Sequence, residues 1–116
     1  MSKITVYGIK TCDSVRKALK FFKANNIEID FFDFKKQKVE LAQIESWLEK
    51  VEIDKLFNSR GTTYKTLKLK ELDLDENGKK EYLARENMLI KRPVIEYEGD
   101  VVVSFNEEIY KDKFIK

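Results

Sequence analysis

Cys12 is the only cysteine in the chain, and it stands where an apolar run, Ile4-Thr5-Val6-Tyr7, gives way to an amphipathic pattern. A strand ending there and a helix beginning there would set the sulfur at a helix N-terminus. Backbone N–H groups without intrahelical partners, together with the positive end of the helix dipole, favour negative charge in such a place. Thiols so placed ionise more readily than an ordinary cysteine, and the thiolate is the reactive species. A lone cysteine is more often a small buried hydrophobe, but the neighbours here, Lys10, Thr11, Asp13 and Ser14, are polar. Asp13 would oppose ionisation if its carboxylate faced the sulfur, so it is expected to turn away and cap the helix.

No histidine occurs in the 116 residues. That excludes Cys-His and Ser-His pairs and His-ligated zinc, and one cysteine cannot build a thiolate zinc site. Cysteine chemistry must then draw on backbone donors, hydroxyls and arginines. Arg60 lies in a polar stretch, Asn58-Ser59-Arg60-Gly61-Thr62-Thr63, and Arg92 precedes the only proline, Pro93. A guanidinium fork can hold an oxyanion or carboxylate through two parallel bonds. Gly61 permits unusual backbone angles, and the hydroxyls can cap the next helical segment. The plainer alternatives are a surface loop at 58–63 and a strand-start proline beside an exposed arginine at 92–93. The sequence leaves the isomer of the Arg92-Pro93 bond open.

Asp73, Asp75, Asn77 and Gly78 match the opening of a calcium-binding EF-hand loop, but the twelfth position, which needs a bidentate Glu, is Ala84. These acids read instead as N-caps and first-turn charges, and no metal is expected. Lys and Arg number 23 against 21 Asp and Glu, a net charge of +2, so there is no basic excess for phosphate neutralisation. The runs Lys35-Lys36-Gln37-Lys38 and Lys65, Lys68, Lys70 read as solvated faces. No direct nucleic-acid partner is expected. No charged-then-apolar leader opens the sequence and no apolar run approaches the roughly 18 residues of a membrane span. With a single unpaired cysteine, a cytoplasmic protein without a membrane partner is expected.

Periodicity supplies the scaffold around these residues. Val15, Ala18, Leu19 and Phe22 recur at helical spacing as far as Asn25-Asn26. Ile27, Ile29 and Phe31 alternate with Glu28 and Asp30 as a strand, which makes a right-handed βαβ unit with parallel strands. From Val39 to about Glu86 the pattern is helical, with Leu41, Ile44, Leu48 and Val51 on one stripe and a later helix carrying Tyr82 and Leu83. Strands resume at Pro93-Val94-Ile95-Glu96-Tyr97, turn at Glu98-Gly99-Asp100 and return through Val101-Val102-Val103 as a hairpin. Ser104-Phe105-Asn106-Glu107 has capping-box spacing and opens a last helix with Ile109, Tyr110 and Phe114. The order predicts one α/β domain, a thioredoxin-like mixed sheet (about 1–37 and 91–116) with an inserted helical subdomain (about 38–90).

Three strings, Tyr7-Gly8-Ile9-Lys10-Thr11-Cys12-Asp13-Ser14, Asn58-Ser59-Arg60-Gly61-Thr62-Thr63-Tyr64 and Leu89-Ile90-Lys91-Arg92-Pro93-Val94, resemble the signature segments of the arsenate reductase (ArsC)-like family. The resemblance spans essentially the whole chain and points to the branch containing Spx and YffB, with Cys-Asp-Ser and Arg-Gly-Thr-Thr favouring the YffB side. It implies a thioredoxin-like fold, Cys12 as nucleophile, Arg60 and Arg92 as pocket cations, and Pro93 as a cis-proline. Lys10, Thr11, Ser14, Gly61 and Pro93 are the expected substrate- or glutathione-binding positions. Two departures matter. Arsenate reductases of the family use a third arginine after the Arg-Pro segment, and residues 93–116 hold none; Spx proteins commonly carry Cys-x-x-Cys, and the second position here is Val15.

Without a second cysteine, an oxidised Cys12 needs an external thiol, glutathione or a glutaredoxin. The expected function is a glutathione- or glutaredoxin-linked thiol oxidoreductase acting on a small thiol or oxyanion substrate, with no bound cofactor and glutathione as co-substrate. The alternatives are an Spx-like regulator that binds RNA polymerase and a genuine arsenate reductase.

Overall fold

A computed structural model describes residues 4–115 of the chain. The elements are β1 (Ile4–Gly8), α1 (Asp13–Ala24), β2 (Asp30–Asp33), α2 (Leu41–Leu48), α3 (Ile53–Leu56) and α4 (Thr62–Thr66). They continue with α5 (Glu76–Arg85), β3 (Val94–Tyr97), β4 (Asp100–Val103) and α6 (Glu107–Phe114), with 3-10 turns at Leu69–Leu72 and Asn87–Leu89. Two compact units result, one from the segments up to residue 35 and from residue 92 onward, the other from residues 36–91.

The first unit is a four-stranded sheet in the order β2-β1-β3-β4. β1 runs parallel to β2 and antiparallel to β3, and β3 and β4 form an antiparallel hairpin. This is the predicted thioredoxin-like mixed α/β sheet. Alternation along the strands sends Val6, Ile95 and Val102 to one face, where they pack with Ala18, Phe21 and Phe22 of α1 and Tyr110 of α6. The aromatic rings meet edge to face, Phe21 on Tyr110 at 5.5 Å and Phe22 on Phe114 at 5.1 Å between centroids, an arrangement their quadrupoles favour. At the end of β1 the helix comes closest: a Cβ on Gly8 would lie 2.6 Å from Cγ2 of Val15, so only glycine fits.

Two predicted boundaries move. β2 begins at Asp30, because the Ile27 N–H donates to the Phe22 carbonyl at 2.9 Å after Asn26 turns left-handed at φ 57°. Ile27 and Ile29 still pack against the core, but from the connection and not from the ladder. The last helix is capped by Asn106, whose side chain accepts from the Ile109 N–H at 3.1 Å, and not by Ser104, which lies at φ 72°. The hairpin turn is as expected, with Glu98 and Gly99 both at positive φ, the geometry that matches strand twist.

The second unit is mainly helical. Its α2 buries Ile44 and Trp47, and Leu41, predicted for the inner stripe, is 38% exposed; the indole is the larger apolar group and takes the core. Phe57 and Ile90 add an isolated antiparallel bridge. Asn87, buried, accepts from the Val39 N–H at 2.9 Å and donates to the Leu83 carbonyl at 2.9 Å, satisfying backbone groups that burial would otherwise penalise. Asp75 caps α5 by accepting from the Gly78 N–H at 2.7 Å.

Gly8→Ala should lower stability by about 1–3 kcal/mol through overpacking. In urea unfolding, Gly8→Ala combined with Val15→Ala should cost less than the sum of the two single changes; strict additivity would show that the two positions do not meet as described.

Candidate functional site

Beyond Gly8 the chain makes one turn, in which the Cys12 N–H donates to the Ile9 carbonyl at 3.2 Å, and enters α1. Cys12 is the N-cap: its backbone is extended at φ −85° and ψ 127°, and its carbonyl accepts the first helical bond from the Arg16 N–H at 3.0 Å. An N-cap side chain sits beside the N–H groups of the second and third helical residues, here Ser14 and Val15. Serine or aspartate would bond them. The half-buried Cys12 thiol makes no capping bond, which leaves these donors to an anion, whether a thiolate or an incoming oxyanion.

Asp13 turns away as expected but caps nothing. Its carboxylate bonds the Arg16 guanidinium one turn along, and that partner holds the Asp13 carboxyl below its ordinary range. Both side chains are exposed. Lys10 is exposed, with its ammonium 5.9 Å from the centre of the Phe31 ring; Thr11 is exposed and Ser14 half-buried.

On the other flank of β1, Tyr7 pairs with Val94. This register puts Arg92 and Pro93 at the sheet end where β1 passes into the Cys12 loop. The Arg92-Pro93 bond is cis, Pro93 is buried, and Arg92 is half-buried with its Nε inside. Cys12, Arg92 and Pro93 thus share one end of the sheet.

Arg60 and Gly61 belong to the helical unit. The Arg60 N–H donates to Asn58 Oδ1 at 3.2 Å, and the Arg60 side chain is exposed. Gly61 is the N-cap of α4 at an ordinary φ of −82°, and no hydroxyl caps that helix. A Cβ there would stand 2.6 Å from Asn58 Nδ2, so a larger residue would require the Asn58 side chain to shift. Among the described residues no group of three or more His, Cys, Asp and Glu side chains is placed to hold a metal ion.

Tyr7, paired with Val94 on β3, makes a bond for which the sequence gives no signal. Its hydroxyl donates to Glu96 Oε1 at 2.8 Å and its ring lies 4.9 Å from that of Phe32. Burial first, and then Glu96, push its ionisation far above the usual tyrosine range, so it remains a neutral donor. Period-two alternation places Tyr7 and Glu96 on strands, but no spacing in the sequence pairs them.

Residues 7–113 match the ArsC family. An uncharacterized protein of Haemophilus influenzae is 38% identical over 112 residues, which is 96% of this chain and 98% of its own. The solved YffB protein superposes with a TM-score of 0.87 at 30% identity, covering 94% of this chain and 96% of its own. A solution structure of an arsenate reductase (ArsC) related protein from Brucella melitensis gives 0.76 at 31% identity, covering 100% and 97%.

Because Cys12 occupies a capping position without capping, Cys12→Ser should abolish thiol chemistry while stabilising the fold by about 0.5–1 kcal/mol, read from thermal unfolding; a destabilised serine variant would contradict the assignment. The Asp13 carboxyl is depressed in the folded state, so its pairing with Arg16 contributes above the unfolded value near about 3.9 and is lost as pH falls through the folded value. Arg16→Ala should raise the Asp13 midpoint in an NMR titration.

Proposed function

The chain belongs to the ArsC family, with an arsenate reductase-related fold, and from that membership we propose that it is a single-cysteine thiol oxidoreductase supplied with electrons by glutathione, directly or through a glutaredoxin. The observation that carries this reading is Cys12 in the N-cap position of α1, beside first-turn donors that its side chain does not cap, in a chain with no other cysteine.

In the proposed cycle the Cys12 thiolate attacks one sulfur of a substrate disulfide. The substrate S–S bond breaks, a Cys12–S bond forms, and the departing thiolate takes a proton from water. A glutathione thiolate then attacks the adduct, forms a new disulfide with the substrate sulfur and releases the Cys12 thiolate. A second glutathione thiolate attacks the glutathione sulfur of that mixed disulfide and releases the remaining substrate thiolate, so two glutathione thiols become one glutathione disulfide and the substrate disulfide is reduced by two electrons to two thiols. Arg92 offers forked donors to the departing anion or to a glutathione carboxylate. Arg60 enters as a second cation on its place in the family signature, and Lys10, Thr11, Ser14, Gly61 and Pro93 are the proposed binding positions. The position three residues after Cys12 is Val15 and the chain has no other cysteine, so a resolving cysteine of the Spx type has no counterpart. The absence of arginine from residues 93–116 removes a fixed charge that a trianionic substrate would use, which argues against arsenate.

Arg92→Lys keeps the charge but loses the fork, and should slow mixed-disulfide formation with glutathione disulfide on the order of tenfold, followed by mass against time. An unchanged rate, together with capture of RNA polymerase by the unmodified protein, would favour the regulator. Purified protein should reduce arsenate only feebly in a glutaredoxin-coupled assay; robust turnover would overturn the charge argument.

A further inference from the structure

Tyr110 is fully buried on α6 among Phe21, Phe22, Phe105 and Phe114. A phenylalanine would fill this place, and a hydroxyl buried among rings is unfavourable unless it is bonded. The Tyr110 hydroxyl donates to the Ser104 carbonyl at 2.7 Å. Ser104 lies at φ 72°, a left-handed conformation that is uncommon and unfavourable for a residue with a side chain. Its own N–H donates to the Pro93 carbonyl at 2.8 Å, one rung beyond the Val94–Val103 pair that ends the hairpin register. Two hydrogen bonds through one strained residue therefore connect the centre of the aromatic core to Pro93, and Pro93 adjoins Arg92 at the sheet end that leads to Cys12.

Resting on the functional reading above, we propose that Tyr110 is a positioning residue: its hydroxyl, acting through Ser104, fixes Pro93 and with it the placement of Arg92, and so sets the preference of Cys12 for anionic reaction partners. Tyr110 touches neither substrate nor sulfur. A hydroxyl serving only general stability would leave that preference unchanged when removed.

The preference is measured as the ratio of Cys12 alkylation rates by iodoacetate, an anion, and iodoacetamide, its neutral analogue. The intrinsic reactivity of the thiol cancels in the ratio, and the effect of nearby cations remains. Tyr110→Phe should lower the ratio about three- to tenfold, the scale of one lost buried hydrogen bond. Phe114→Leu, which removes a ring 5.5 Å from that of Tyr110 but spares the hydroxyl, should lower stability and leave the ratio alone. A parental ratio in Tyr110→Phe would overturn the proposal, as would loss of its cooperative unfolding transition, which would assign the hydroxyl to the stability of the whole unit. Arg92→Gln separates the two levels. If it leaves the ratio unchanged, the functional reading fails along with this inference; if it lowers the ratio and Tyr110→Phe does not, only this inference fails.

Discussion

The approach of α1 to the end of β1 leaves no room for a methyl group on Gly8, since Val15 already fills that space. Helix–sheet packing at this distance pins the first turn of α1, and the first turn defines Cys12 as its N-cap. Farther along the helix Ala18 and Phe22 continue onto the same sheet face, and Phe22 joins the aromatic cluster that holds α6. The position of the thiol is therefore set by apolar packing, with polar groups acting around it. Arg16 draws Asp13 aside, and the β1–β3 register brings Arg92 and Pro93 to the same sheet end.

The helical unit solves a different problem. It has many short elements and must satisfy the backbone between them, which Asn87 does for Val39 and Leu83. The loop bearing Arg60 springs from a paired stem: around the Phe57–Ile90 bridge, the Asn58 N–H donates to the Leu89 carbonyl and the Lys91 N–H to the Leu56 carbonyl, each at 2.8 Å.

Element order and sheet membership were readable from apolar period and turn residues, because β1, α1 and the β3–β4 hairpin each bury a regular pattern. Boundaries were less readable where two local signals competed. Ile27 and Ile29 alternate like a strand, yet closing α1 through Phe22 claims Ile27 first. Ser104 has capping-box spacing, but Asn106 accepts the N–H that a cap must satisfy. Leu41 keeps helical phase with Ile44 and yields the core to Trp47. In the candidate site, Cys12 at a helix start was evident from its flanks, whereas the Tyr7–Glu96 and Tyr110–Ser104 bonds join residues whose pairing depends on register and helix docking, which no local spacing encodes.

If the fold turns Cys12 from a passive thiol into a nucleophile, the effect is most directly seen in its rate of mixed-disulfide formation with glutathione disulfide, compared between the native protein and the same chain unfolded in urea. The N-cap position, with Arg92 at the same end of the sheet, predicts that native Cys12 reacts faster, giving a single adduct that glutathione with glutaredoxin removes. A native thiol that reacts more slowly than the unfolded one would contradict this role, since it would identify Cys12 as a residue that folding merely shelters.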